Sequence, residues 1–173
     1  MAAKKKRKPA YKPPLIMLKQ ELGHWEYTGK DYDTSTMFGF VYLLVDKATG
    51  KGYVGKRQFW AYKKNSMTKT GTSVWRTYHS SSEHIKEARA EGTQFEYHML
   101  GVFKTRAWTS YTEAYLQFVL NTMTERDSNG ERLWFNNQIA AIKFIPGFDE
   151  EQHSTMESCL KKAKTILKKR KIV

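Results

Sequence analysis

The chain has 173 residues, a net charge of +13 and a single cysteine, and these facts limit its class. The length suits one domain with short extensions and is enough for a hydrophobic core. Because Cys159 stands alone, an internal disulfide and a multi-cysteine zinc site are excluded. No apolar stretch is long enough to span a membrane, and the basic N-terminus lacks the apolar region of a signal peptide. We therefore expect a cytoplasmic protein.

The excess positive charge is concentrated at the two ends of the chain. Six of the first thirteen residues and seven of the last thirteen are basic, so residues 14–160 carry 17 basic residues against 17 acidic ones. Clustered lysines and arginines gain affinity for nucleic acids by releasing counterions from phosphates. We expect these tails to bind DNA, whereas the alternative is that they only serve solubility. The tail residues concerned are Lys4, Lys5, Lys6, Arg7, Lys8, Lys168, Lys169, Arg170 and Lys171.

The first half of the chain predicts an arm followed by a β-hairpin. Residues 1–14 combine six basic residues with three prolines, which predicts a disordered basic arm. Residues 38–46 are apolar and rich in β-formers, which predicts a central strand. Gly50 and Gly52 then predict a turn, after which Tyr53–Arg57 return as the antiparallel partner of that strand.

A basic loop and a short helix are expected next. The lysines and small polar residues of 63–73 predict a mobile loop, in which Lys63 and Lys64 could contact a phosphate backbone. Ser80 is followed three residues later by Glu83, which is the spacing of a capping box, and Gly92 is a suitable C-terminal stop. We therefore predict a short helix between Ser80 and Gly92.

The second half of the chain predicts one more strand and two helices. The alternation in Phe95–Phe103 predicts a third strand. Ser110 and Glu113 have the spacing of a second capping box, which opens a helix with a broad apolar face. The segment Glu150–Lys169 has apolar residues on one helical face and lysines opposite, which predicts a basic amphipathic helix.

Two tyrosines in the predicted hairpin are the first candidates for chemistry. Phosphodiester hydrolysis needs an activated water and stabilisation of the charge that develops at phosphorus. Tyr42 and Tyr53, on adjacent strands, could orient or deprotonate that water. A tyrosine with its ordinary pKa is a poor base, so Lys56 or Arg57 would have to favour the phenolate. The alternative is that both tyrosines only pack in the sheet.

A carboxylate and an amide could complete such a site. Glu113 is a candidate ligand for one Mg²⁺ or Mn²⁺ ion, since Mg²⁺ accepts a single carboxylate and fills its other positions with water and phosphate oxygens. The alternative is that Glu113 only closes the capping box with Ser110. Asn136 or Asn137 could hold a phosphate or orient a reactive group, or either amide could satisfy backbone groups in a turn.

Several cations compete for the phosphate-binding role. Arg57 and Arg76 offer the planar fork that suits phosphate, and Lys63 is a further candidate. His79 could act as an additional acid or base, although a surface histidine is the simpler interpretation. Three aromatic side chains could stack on bases or fill the core: Phe59, Trp60 and Trp75.

The order of these residues resembles the GIY-YIG nuclease superfamily. The first motif is Gly39-Phe40-Val41-Tyr42 and the second is Tyr53-Val54-Gly55, with cations directly after it. A glutamate and a later asparagine follow, and the stretch 75–82 is similar to phage-encoded members. Gly39 lies one residue earlier than the family glycine, and the family arginine usually lies farther beyond the second tyrosine than Arg57 does.

The resemblance implies a fold and an activity. The fold would be of the α/β class, of the α+β type, with a small three-stranded antiparallel sheet flanked by helices. The activity would be magnesium-dependent cleavage of DNA strands. Tyr42 and Tyr53 would be the paired tyrosines, Glu113 the metal ligand and Asn136 the late asparagine.

We therefore divide the chain into three parts. Residues 1–14 are the basic arm, residues 15–145 the nuclease-like domain with its motif core at 38–142, and residues 146–173 the basic C-terminal helix. We predict a phage-type, metal-dependent endodeoxyribonuclease that acts on double-stranded DNA. The alternatives are a nucleic-acid-binding protein without catalysis on the same scaffold, and a protein that binds an acidic partner.

Overall fold

The computed structural model describes residues 21–169 except 65, 67, 140, 141, 143 and 144. In chain order the elements are β1 (Gly39–Asp46), β2 (Gly52–Gln58), β3 (Trp60–Tyr62), β4 (Lys69–Thr72), α1 (Glu83–Ala90), β5 (Phe95–Phe103), α2 (Arg106–Val119) and α3 (Glu150–Lys169). Strands β2, β1 and β5 form an antiparallel sheet with β1 in the centre, and β3 and β4 form a separate hairpin. The predicted α+β fold is confirmed, while the predicted arm, residues 1–14, lies outside the described residues.

The central strand β1 is buried along its whole length. Because side chains alternate across a strand, Val41 and Leu43 pack on one face among residues of α2 and α3. Phe40 and Tyr42 pack on the other face, in a cluster that contains the rings of several aromatic residues. Tyr42 therefore lies on the face of the sheet opposite to the two long helices.

The predicted turn between β1 and β2 is formed at Gly50, whereas Gly52, also predicted to lie in the turn, is the first residue of β2. Gly50 has a φ of +80°, a conformation that glycine adopts without strain. Its amide donates to the Asp46 carbonyl at 2.8 Å, and the Asp46 carboxylate accepts from the amide of Ala48 at 3.0 Å. The turn fixes the register of β1 against β2, and with it the relative position of the two tyrosines.

Helix α2 begins earlier than predicted. Thr105 is its N-cap, and the Thr105 hydroxyl accepts from the Trp108 amide at 3.2 Å. Ser110 therefore lies inside the helix, and the predicted capping box between Ser110 and Glu113 is wrong. The physical reason is that Thr105 supplies a cap five residues upstream and nothing between Arg106 and Ser110 interrupts the helix. Glu113 consequently has no capping role.

Two smaller predictions also need correction. The helix before Gly92 is α1, but its N-cap is Ser82, and Ser80 instead accepts a hydrogen bond from the Ser82 amide at 3.0 Å. Gly92 does end the helix, with a φ of +96°. The predicted loop at 63–73 contains β4, because backbone pairing with β3 extends the chain there.

The predicted amphipathic helix at the C-terminus is α3. Met156, Ala163 and Leu167 are buried against the sheet, whereas Lys168 and Lys169 are exposed. Arg170 and Lys171 lie outside the described residues. Within the part of the chain that the structure describes, no helix has the length and apolar character needed to cross a membrane.

Candidate active site

The two motif tyrosines lie diagonally on one face of β1 and β2. Tyr42 is paired with Gly55, and Tyr53 with Leu44. The ring centroids of Tyr42 and Tyr53 are 6.1 Å apart. A Cβ atom on Gly55 would lie 2.5 Å from both Cζ and the hydroxyl oxygen of Tyr42, and 2.8 Å from Cε1 of Tyr53. A glycine is therefore needed there for the Tyr42 ring to lie across β2.

The two tyrosines differ in their access to solvent. Tyr42 is 1% exposed, and its hydroxyl donates to Ser80 Oγ at 3.5 Å. Tyr53 is only partly buried and lines a cavity. Burial raises the pKa of both phenols, and the negative charge of Glu113 raises it further, although hydrogen bonding to Ser80 opposes this. Both hydroxyls are therefore protonated at neutral pH, which suits orientation of a water better than its deprotonation.

Glu113 is paired with Lys56 across α2 and β2. The distance from Lys56 Nζ to Glu113 Oε2 is 2.6 Å, and the Glu113 side chain is 12% exposed. Burial raises the pKa of Glu113, while the ammonium group of Lys56 lowers it. The pairing brings a buried carboxylate and a cation to the same edge of β2.

Tyr53 and Glu113 line a polar cavity of about 300 Å³, to which neither Tyr42 nor Lys56 contributes lining atoms. Its lining residues are Tyr53, Ser81, Ser82, Glu83, His84, Glu113, Gln117, Asn136, Asn137 and Gln138. Two larger cavities, of about 550 and 440 Å³, lie beside α3 and hold neither motif tyrosine. We therefore take the smaller cavity, at the outer edge of β2, as the candidate active site.

Asn136 extends the sheet at this edge with its side chain. Its amide oxygen accepts from the Val54 amide at 2.9 Å, and its amide nitrogen donates to the Val54 carbonyl at 2.8 Å. Phe135 and Gly52 are joined by a backbone hydrogen bond of 2.8 Å just before it. Of the two roles considered for Asn136, the geometry favours the satisfaction of backbone groups, which holds Val54 in place between Tyr53 and Gly55.

Residues 25–139 match the family model described as the GIY-YIG domain of the putative endonuclease segE. The match covers more than half of the chain. The chain belongs to this GIY-YIG family. It therefore has a nuclease domain, with nucleic acid as the substrate. No curated protein and no solved structure shows a significant similarity to the chain.

Arg57 of this GIY-YIG domain lies on the tyrosine face of β2. Its guanidinium carbon lies 3.9 Å from the centroid of the Tyr78 ring, and that ring is 6.4 Å from the ring of Tyr42. Within the described residues Arg57 Nε is buried and has no hydrogen-bond partner. Arg57 therefore lies beside the tyrosine cluster and outside the lining of the cavity.

Among the described residues, none of the cations predicted for the phosphate role lines the cavity. Arg76 donates from Nε to the Glu21 carbonyl at 2.6 Å and lies over the Trp75 ring. Lys63 and Lys64 are exposed beyond the end of β3. The three aromatic residues considered for stacking on bases, Phe59, Trp60 and Trp75, are each at most 1% exposed and fill the core.

His79 belongs to a separate cluster of the GIY-YIG domain. Its Nδ1 is 2.6 Å from the Tyr97 hydroxyl, and its ring stacks on that of His24 with centroids 4.7 Å apart. Burial lowers the pKa of His79, and the charge of Arg89 lowers it further. His79 is therefore neutral at physiological pH, next to the segment that positions Ser80.

Two polar residues of the site, Ser80 and Gln117, were not predicted from the sequence. Ser80 bonds the Tyr42 hydroxyl, and nothing in its local pattern distinguishes it from its serine neighbours. Gln117 donates to the Val54 carbonyl at 3.2 Å, and its Oε1 is buried without a partner among the described residues. Gln117 lies four residues after Glu113, so helical spacing predicts that the two share a face of α2.

The donor set of the cavity fits a single hard cation. No group of three or more His, Cys, Asp or Glu side chains suitable for a metal occurs within the described ranges. Mg²⁺ does not require such a group, because it binds through one or two carboxylates and keeps water and phosphate oxygens as its other ligands. Glu113 provides one carboxylate at the edge of a polar cavity, which matches this mode of binding.

Proposed function

We propose that this GIY-YIG domain is a metal-dependent endodeoxyribonuclease that hydrolyses phosphodiester bonds with one Mg²⁺ or Mn²⁺ ion. The observation that carries the proposal is that Tyr53 and Glu113 line one polar cavity, and that Lys56 is paired with Glu113. A hydroxyl, a carboxylate and a cation are the groups that this hydrolysis needs.

Each side chain has a distinct part in the proposed reaction. Tyr53 orients the attacking water with its neutral hydroxyl, and Tyr42 supports Tyr53 from behind. Arg57 holds the phosphate from the tyrosine face of β2, and Lys56 holds it from the side of Glu113. Glu113 holds the ion, which when bound neutralises charge on the phosphate and on the leaving oxygen.

Asn136 is a positioning residue in this proposal. It acts through the backbone of Val54, to which both ends of its amide are bonded. Because Val54 lies between Tyr53 and Gly55, the Asn136 amide fixes the part of β2 on which the tyrosine pair depends.

The proposed substrate is double-stranded DNA. Basic residues are concentrated at both ends of the chain, and such clusters bind phosphate backbones without regard to sequence. The likeness to phage-encoded nucleases supports action in the cytoplasm of a bacterial host.

Cleavage of supercoiled plasmid DNA tests this proposal. We expect the parent protein to nick or linearise the plasmid with Mg²⁺ or Mn²⁺ and to leave it intact in EDTA. Tyr53→Phe removes the hydroxyl but keeps the ring, and we expect it to slow cleavage about a hundredfold. Equal cleavage by parent and Tyr53→Phe would contradict the assigned role of Tyr53. If the parent binds the plasmid but never cuts it, the protein is a binding protein without catalysis.

A further inference from the structure

One long stretch of the chain contains no acidic residue. From Lys47 to Ser82, both included, there are eight lysines and arginines and no aspartate or glutamate. All 17 acidic residues lie outside this stretch, so the balanced charge of residues 14–160 hides a strongly uneven distribution. The stretch contains β2, which carries Tyr53, and the β3–β4 hairpin that follows it.

The base of the hairpin is fixed firmly to the domain. The Trp60 indole is buried, and its nitrogen donates to the Thr34 carbonyl at 2.8 Å. Ser73 Oγ donates to the Gln58 carbonyl at 2.6 Å. The hairpin is thus oriented by the domain before any partner arrives, which lowers the entropic cost of binding.

The outer part of the hairpin contributes nothing to the hydrophobic core. None of the described residues from Lys63 to Thr72 is buried. The tip is closed by polar contacts, with the Lys63 amide donating to the Thr68 carbonyl at 3.0 Å and Ser66 Oγ donating to Thr68 Oγ1 at 2.9 Å. A two-stranded hairpin has little stability of its own. Lys69 turns back onto the domain, donating to the Ser35 carbonyl at 2.7 Å, whereas Lys63 and Lys64 are exposed and free to meet an anionic partner.

We propose that the β3–β4 hairpin is an arm that enters a groove of double-stranded DNA beside the cleavage site. The proposal rests on the proposed nuclease function. A two-stranded ribbon fits the width of the major groove, and Lys63 and Lys64 have the charge to contact the flanking phosphates. Thr70 and Thr72 are exposed along β4, where hydroxyls can reach phosphates or base edges.

The arm is within reach of the same duplex that the active site would cut. Lys63 is six residues after Arg57, and an extended chain rises about 3.3 Å per residue, so the two residues are at most about 20 Å apart. That length corresponds to about six base pairs of duplex. The arm would therefore hold the DNA a few base pairs from the scissile phosphate.

The middle of the hairpin has small residues on both strands, so DNA could approach its backbone closely. Ala61 is paired with Gly71, and a Cβ atom on Gly71 would meet no atom within 4 Å. Gly71 also lacks the positive φ that makes substitution of a glycine costly. A larger side chain at position 71 therefore leaves the fold intact while obstructing whatever approaches the ribbon.

The test compares two glycine substitutions of equal charge. Gly147 is the matched control, because a Cβ there also meets no atom within 4 Å. We would titrate each protein against a short fluorescein-labelled DNA duplex in EDTA and follow anisotropy. We expect Gly71→Glu to weaken binding about tenfold or more, and Gly147→Glu to change it less than about twofold. The basic tails contribute equally in both variants.

A second variant removes charge without adding a side chain to the ribbon. In Lys63→Gln/Lys64→Gln, the slope of log K against log salt should become shallower by about 2, since each lost phosphate contact accounts for about 0.9. If the parent cuts DNA but Gly71→Glu binds like Gly147→Glu and the salt slope is unchanged, the arm is wrong and the nuclease function stands. If the parent neither binds nor cuts duplex DNA, both proposals fail. If the variants lose affinity for a single-stranded DNA probe but not for the duplex, the proposed arm is also wrong.

Discussion

At the scale of single residues, Gly55 determines whether the tyrosine pair can form. A methyl group there would lie 2.5 Å from the hydroxyl oxygen of Tyr42, and the strand backbone leaves it little room to move. We expect Gly55→Ala to lower the free energy of unfolding by about 1–3 kcal/mol through overpacking, and to reduce plasmid cleavage. Urea unfolding of Gly55→Ala and of the control Gly71→Ala measures this. Equal stability of the two variants would mean that Tyr42 does not lie across β2.

Lys56 controls the cost of burying the Glu113 carboxylate. Burial raises the pKa of Glu113, and Lys56 opposes this. A carboxyl with a raised pKa contributes stability that is fully present below its ordinary pKa, here 4.5, and is lost as the pH rises through the folded value. Lys56→Met removes the opposing charge, so the stability that is lost as the pH rises should be larger in this variant.

We expect Lys56→Met to unfold more easily than the parent at pH 7, by about 1–3 kcal/mol, in the presence of EDTA. The deficit should shrink as acid protonates Glu113. Urea unfolding over a series of pH values measures it, with Lys86→Met as the control because Lys86 pairs with Glu83 at the surface. A deficit that stays constant into acid would mean that Lys56 contributes packing and not charge.

At the scale of elements, the position of the N-cap of α2 determines whether Glu113 has a capping role. Thr105→Ala should destabilise the protein by about 1 kcal/mol, because the amide of Trp108 loses its acceptor. Ser110→Ala should change stability by less than about 0.5 kcal/mol, since Ser110 lies inside the helix. Thermal unfolding of both variants tests the assignment, which the opposite order of effects would refute.

The docking of Asn136 on β2 gives a second prediction at this scale. Asn136→Ala leaves the Val54 amide without its side-chain acceptor, while the Val54 carbonyl keeps only the longer hydrogen bond from Gln117. We expect a loss of about 1–3 kcal/mol in stability and faster hydrogen exchange of the Val54 amide, together with slower cleavage. Asn137→Ala is the control, because Asn137 contacts exposed His84 instead. Unchanged exchange at Val54 would show that Asn136 does not hold this strand.

Some of these elements could be predicted from the sequence and others could not. The apolar run of β1, the glycines of its turn and the alternation in Phe95–Phe103 carry local signals, and the three strands form where expected. The place where Asn136 docks is set by tertiary contacts with Val54, more than eighty residues earlier, which no local pattern records. The start of α2 was misplaced because Ser110 and Glu113 have the spacing of a capping box, which Thr105 pre-empts.

At the scale of the whole molecule, the excess of basic residues lies at the two ends of the chain, and the candidate site residues lie in the middle. The sequence predicts basic ends and a balanced middle, and the composition alone is enough for that. The uneven charge within the middle becomes meaningful only when the fold places the acid-free stretch on β2 and its hairpin. The carboxylate that the site needs comes from α2, outside that stretch.

The rate of plasmid cleavage by Glu113→Gln tests the central claim most directly. Glu83→Gln is the control, because Glu83 lines the same cavity but pairs with Lys86 at the surface. With Mg²⁺ present, Glu113→Gln should cut at least about a hundredfold more slowly than the parent, while Glu83→Gln should stay within about threefold of it. A folded Glu113→Gln protein that cuts DNA at the parent rate would contradict the assignment of this cavity as the nuclease site.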